Sequence, residues 1–66
     1  MFSKEEVAVA LRIVSMVALG AYPSGESIIE DIESLKDEEL KKLTSATIVA
    51  SLEAKKLVSI LDALGH

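Results

Sequence analysis

The sequence lacks cysteine, tryptophan, asparagine and glutamine, and its 66 residues include one proline, one phenylalanine, one tyrosine and one histidine. Without cysteine, the chain forms no disulfide and offers no thiolate to a metal. The one histidine is His66, the last residue of the sequence, where chain ends tend to fray. With no acid–base set and no nucleophile motif, we expect neither an enzyme nor a metal or cofactor site.

The missing amide and thiol residues have a second implication. Thermophile proteins tend to avoid such labile side chains, so the composition is thermophile-like. Designed helical bundles avoid them as well. A designed bundle without a biological function therefore stays an open alternative.

The charge is acidic and unevenly placed. The formal net charge is −4, and residues 26–42 carry the entire excess. Phosphate backbones and anionic lipid headgroups repel such a surface, so we expect no nucleic-acid or membrane partner. A helix-turn-helix DNA-binding regulator fits the size but needs a basic face, and the lysines on the last helix are few: Lys41, Lys42, Lys55 and Lys56.

The segment from Val7 to Leu19 is the longest apolar stretch, interrupted only by Arg12 and Ser15. On a helical wheel its apolar arc is far wider than the stripe of an ordinary surface helix, which is a little over 100° wide. A membrane span needs about 20 apolar residues, and this stretch is shorter. The residues before it are net acidic, unlike those of a signal peptide. We expect a buried helix of a cytoplasmic protein.

Capping signals divide the chain, as a single domain over residues 1–66, into helices. Ser3 and Glu6 have capping-box spacing, which starts helix 1 at about residue 4, and Gly20 ends it after residue 19. Helix 2 covers about residues 25–34. Asp37 caps helix 3, which covers about residues 38–64.

The last helix poses the main uncertainty in topology. Apolar residues recur there at steps of three and four without a proline: Leu40, Leu43, Ala46, Ala50, Ala54 (or Glu53), Leu57, Leu61 and Leu64. Weak helix formers near residues 44–45 predict a break and hence four helices. The repeat keeps its phase through Thr44, which favours one continuous helix. We therefore predict an all-α, three-helix bundle, with a four-helix bundle as the alternative.

A chain of this length has marginal stability alone, and oligomerisation is the one common remedy left open. A continuous helix 3 also overhangs helix 1, so a partner is its natural cover. We predict a protein–protein interaction or oligomerisation module that packs into an oligomeric bundle. A homodimer is the favoured assembly, and a different protein is the other possible partner. An apolar-ligand or lipid carrier is an alternative. The predicted interface consists of Val9, Ile13, Met16, Val17, Ile48 and Leu52.

Two charged features carry further hypotheses. Glu53 projects into the apolar arc of the last helix, so it either forms a buried ion pair with Arg12 or lies at the edge of the arc in water. Glu26, Glu30 and Glu33 share one face of helix 2. That face is a solvated surface, a docking patch for a basic partner or, least expected, a cation site.

Overall fold

The computed structural model describes residues 2–65, which form three α-helices and no strand. Helix α1 spans Lys4–Ala18, α2 spans Gly25–Glu33 and α3 spans Glu38–Leu64. The prediction of a small all-α bundle with three helices is confirmed. Each helix lies within one residue of its expected bounds.

Each helix begins at a capping side chain that accepts backbone N–H groups. Ser3 accepts from the N–H of Glu6 at 3.1 Å, Ser24 accepts from Ser27 at 3.2 Å, and Asp37 accepts two N–H groups of the first turn of α3. Such caps replace hydrogen bonds that the first turn of a helix cannot make within itself. The capping box expected at Ser3 is half formed, because the Glu6 carboxylate accepts instead from the backbone N–H of Lys36 at 2.6 Å.

Helix α1 ends where Gly20 adopts a left-handed conformation with a φ of 67°. The N–H of Ala21 donates to the carbonyl of Met16 at 2.8 Å, and the N–H of Gly20 donates to that of Val17 at 3.1 Å. These two bonds form a Schellman motif. A side chain with a Cβ is strained at this φ, so glycine fixes the length of α1.

Helix α3 continues through Thr44, and the four-helix alternative does not occur. The hydroxyl of Thr44 donates to the carbonyl of Leu40 at 2.6 Å, and that of Thr47 donates to Leu43 at 2.8 Å. Threonine disrupts helices by competing for backbone groups, but here both hydroxyls bond one turn back within the helix. Both hydroxyls are thereby satisfied without interrupting the helix.

Helices α1 and α3 run in the same direction. Glu6, near the start of α1, contacts Lys36 just before α3, and the Lys55 ammonium lies 3.4 Å from the carbonyl of Val17 near the end of α1. A cation at this end suits the helix dipole, and α1 has no basic residue in its own last turn. Helix α2 packs on one side of the pair and places Ile28 and Ile32 against the core.

The core is small and lies between α1 and the first half of α3. Its buried hydrophobic residues are Ala10, Ile13, Val17, Leu35, Leu40 and Ile48. Thr44 is buried among them. Every residue from position 52 to position 65 is exposed, so the second half of α3 extends past the end of α1.

This extension makes the molecule long. The radius of gyration is 13.6 Å and the principal extents are 45 × 25 × 15 Å, whereas a compact domain of this length has a radius of gyration of about 11 Å. Within residues 2–65, no helix combines the length and the apolar composition needed to cross a bilayer.

Candidate functional site

Three of the six predicted interface residues lie inside the chain's own core. Ile13 is 0% exposed, and Val17 and Ile48 are buried with it. Within one chain these three side chains therefore keep little or no surface for another subunit. The physical reason is that α2 covers this side of α1 with Ile28 and Ile32, and Tyr22 of the preceding loop packs on the same cluster.

The other three predicted interface residues remain partly accessible. Val9 and Met16 are half-buried on α1, and Val9 packs against both parts of the core. Leu52 is 50% exposed, at the point where α3 leaves α1. Among the six, Leu52 is the residue with the most side-chain surface left for a partner.

The largest uncovered apolar surface lies further along α3. Leu57 is 59% exposed, Leu61 67% and Leu64 77%. The predicted interface omitted these leucines, although the sequence contains a signal for them. Leu43, Ala50, Leu57 and Leu64 follow one another at intervals of seven residues, which is the spacing of a coiled-coil seam.

An apolar groove between α1 and α3 adjoins this surface. It has a volume of about 170 Å³, and α2 contributes nothing to its lining. Leu11 and Leu43 stand at its rim, 62% and 53% exposed. The other lining residues are Val7, Ala10, Val14, Leu40, Thr44 and Thr47.

Arg12 and Glu53 do not form the buried ion pair that was considered. Both residues are exposed, and the ion pairs within residues 2–65 are those of Lys41 with Glu33 and Glu38. Glu53 lies at the edge of the apolar arc, where its carboxylate reaches water. The structure therefore supports the hypothesis that Glu53 is solvated, and not the hypothesis of a buried ion pair.

The acidic face of α2 is a solvent-facing surface. Glu26, Glu30 and Glu33 are all exposed, and residues 2–65 contain no group of three carboxylate or imidazole side chains placed to hold a metal ion. Lys41 lies 3.4 Å from Glu33 and 3.2 Å from Glu38. The hydrogen bond to Glu38 is the main reason why the pKa of Lys41 is raised.

Tyr22 fastens the loop after α1 to α2. Its hydroxyl donates to the Asp31 carboxylate at 2.7 Å, and its ring packs on the cluster around Ile13. Burial, followed by the hydrogen bond to Asp31, raises the pKa of Tyr22 to about 12. A phenol that holds its proton so tightly is a poor general base at neutral pH, so its role here is structural.

A second cleft, of about 370 Å³, lies between the start of α1 and the turn before α3. Its most notable polar group is the Glu6 carboxylate, which already accepts from Lys36. Its two serines serve helix ends, because Ser3 caps α1 and the Ser34 hydroxyl donates to the carbonyl of Asp31. The cleft is lined by Ser3, Glu5, Glu6, Val9, Ser34, Leu35 and Lys36.

Comparison with protein-family models, with curated proteins and with solved structures finds no match for this chain. The function must therefore be inferred from its own residues.

Proposed function

We propose that this chain is a non-enzymatic self-association module, whose apolar C-terminal helix joins copies of the protein into a homo-oligomer, most simply a dimer. The observation that carries the proposal is the exposure of Leu57, Leu61 and Leu64 on the part of α3 that extends past α1. Contiguous apolar surface of this kind marks protein interaction sites.

The surface area of the chain supports the same proposal. The chain exposes 5009 Å², whereas a compact monomer of its mass exposes about 4,100 Å². The excess, about 900 Å², is close to the roughly 800 Å² that one partner contributes to a stable protein interface. Burial of one interface of ordinary size would therefore remove the excess surface area.

A carrier of lipid or another apolar ligand is less well supported. The apolar groove between α1 and α3 has a volume of about 170 Å³ and is open along its length. Small-molecule sites usually enclose about 300–1,000 Å³. The extended half of α3 forms no cavity with another helix, so a ligand there would remain largely in water.

A DNA-binding role has even less support than the sequence alone suggests. Lys41 is one of the few lysines on α3, and Glu33 and Glu38 already neutralise it. The acidic face of α2 lies beside it. Phosphate binding needs a clustered basic surface, which these charges oppose.

The test is the mass of the particle in solution. Sedimentation equilibrium from micromolar to millimolar concentrations should give twice the 7.1 kDa of one chain. The variants Leu57→Glu and Leu61→Glu should weaken association at least tenfold, because each places a carboxylate in the apolar contact.

Ser59→Glu is the matched control, since Ser59 is exposed on the opposite face of the same helix. This variant should associate like the parent chain. A parent chain that sediments as one copy at every concentration would contradict the proposal. So would a single copy that carries a bound lipid in native mass spectrometry.

A further inference from the structure

Seven exposed residues of α3 form one regular seam, while the exposed Val49, Leu52, Val58 and Ile60 lie outside it. The seam residues alternate at steps of four and three, which is the spacing that places side chains along one side of a helix in a two-stranded coiled coil. Six of the seven members are leucine or alanine, and none is charged. We define the seam as Leu43, Thr47, Ala50, Ala54, Leu57, Leu61 and Leu64.

The two ends of the seam have different surroundings. At its first end, Leu43 and Thr47 form one wall of the groove and α1 supplies the other wall with Val7 and Leu11. At its last end, Leu57 to Leu64 have no neighbouring helix, and all are exposed. The chain thus has an apolar groove between α1 and α3 with no helix in it, and a half of α3 with no helix beside it.

We propose that two copies pair with their α3 helices antiparallel, so that the free half of each α3 lies in the α1–α3 groove of the other copy. This inference rests on the proposed self-association and specifies its geometry. A twofold axis near residue 52 places Leu61 of one copy beside Leu43 of the other. The same axis places Ala50 beside Ala54, where small side chains allow the two helices to approach closely.

The antiparallel arrangement uses both unpartnered surfaces at once. A parallel pair would bring the two free halves together but leave both grooves uncovered, with Leu11 in water. The groove also has a suitable length, because its lining covers residues 7–14 of α1 and 40–47 of α3, about 12 Å of helix, which is the length of residues 57–64. The shared core would then consist of four helices, two from each copy.

Spin-label distances within the dimer distinguish the two orientations. The parent chain has no cysteine, so one introduced cysteine gives one label per copy. Gly65→Cys is suitable because a Cβ at Gly65 would meet only ordinary contacts of 3.5 Å. Lys42→Cys is suitable because Lys42 is exposed at the other end of α3.

In the antiparallel dimer, labels at position 65 should lie about 40 Å apart and labels at position 42 about 30 Å apart. A mixture of the two labelled chains should add a new distance below about 20 Å, because position 65 of one copy lies beside position 42 of the other. A parallel dimer gives the reverse pattern, with short distances in each variant alone and about 35 Å in the mixture.

The parallel pattern in a confirmed dimer would overturn the antiparallel geometry and leave the proposed function intact. A labelled chain of monomeric mass would contradict the proposed function itself. Unlabelled Gly65→Cys and Lys42→Cys, kept reduced, should sediment like the parent chain, which shows that the substitutions have not altered association.

Discussion

Within α3, residues 38–51 lie against α1, whereas residues 52–64 extend beyond it. The first part buries Leu40, Thr44 and Ile48 in the core. In the second part the positions that continue this buried face are largely polar, among them Lys55 and Ser59. Its exposed leucines instead continue the face of Leu43, which is exposed beside α1 as well.

The difference shows that apolar spacing defines the buried face of a helix but not the partner that buries it. Helix α1 ends after 15 residues because Gly20 closes a Schellman motif, while α3 continues for 27 residues. The length mismatch, about 18 Å at 1.5 Å per residue, leaves the second part without a neighbouring helix. The end of α1 thus determines how much of α3 extends alone, whereas the position of Leu57 and Leu61 on the seam face keeps their side chains exposed.

The largest expected effect on stability comes from a core residue, and a matched truncation in the seam provides the comparison. Ile13→Ala should lower the free energy of unfolding by about 2–5 kcal/mol, because Ile13 is fully buried within one chain. Leu61→Ala removes an exposed side chain. At concentrations where the parent is a monomer, it should change the free energy of unfolding by less than about 0.5 kcal/mol.

Urea denaturation followed by circular dichroism measures both values, and sedimentation measures association. Leu61→Ala should weaken the dimer even though the monomer keeps its stability. If Ile13→Ala and Leu61→Ala destabilise the dilute monomer equally, Leu61 is buried within one chain and the second half of α3 is not uncovered as described.

The sequence predicted the three helices because their ends carry strong local signals. Ser3, Ser24 and Asp37 are side chains that cap helices, and Gly20 permits the backbone that ends one. Such signals act within a few residues. They are therefore visible in a single sequence without knowledge of the tertiary fold.

The sequence could not show which apolar residues one chain buries by itself, because burial depends on which helices become neighbours. The wheel identified Ile13 as apolar, but it could not show that Ile28 and Ile32 of α2 would cover that side of α1. It also placed Glu53 near the apolar arc without showing that no helix faces it there. The burial of Ile13 and the exposure of Glu53 both depend on which helices pack together, and those helices are distant in sequence.

An intermediate effect is expected at the cap of α3. The Asp37 carboxylate accepts from the N–H groups of Glu39 and Leu40 at 2.9 and 3.1 Å. Asp37→Ala should lower the free energy of unfolding by about 1 kcal/mol, measured by urea denaturation. Association should persist once the chain is folded, because Asp37 precedes the first seam residue, Leu43, and does not line the groove.

Asp37→Asn is the matched control, since asparagine caps helices about as well as aspartate. It should cost less than the alanine variant. An equal loss in both variants would show that the charge, and not the capping hydrogen bonds, carries the effect. Loss of the dimer under folded conditions would show that the start of α3, outside the seam and the groove, takes part in the contact.

The smallest effect concerns Tyr22, the one tyrosine of the chain, which reports on the packed region alone. Folding raises its pKa from 10.0 to about 12, mainly through burial and then through the hydrogen bond to Asp31. The folded state therefore binds the phenolic proton more tightly than the unfolded state. The resulting stabilisation is complete below about pH 10 and decreases as the pH rises towards 12.

Ultraviolet absorbance of the phenolate measures this titration without interference from lysines. The native chain should ionise with a midpoint near 12, and the chain in urea near 10.0. Asp31→Asn should lower the native midpoint only part of the way, since burial makes the larger contribution. Leu61→Glu, which acts on the free half of α3, should leave the midpoint unchanged.

A native midpoint near 10.0 would mean that the Tyr22 ring does not pack on the core. The contrast between the packed region and the free half of α3 would then be weaker.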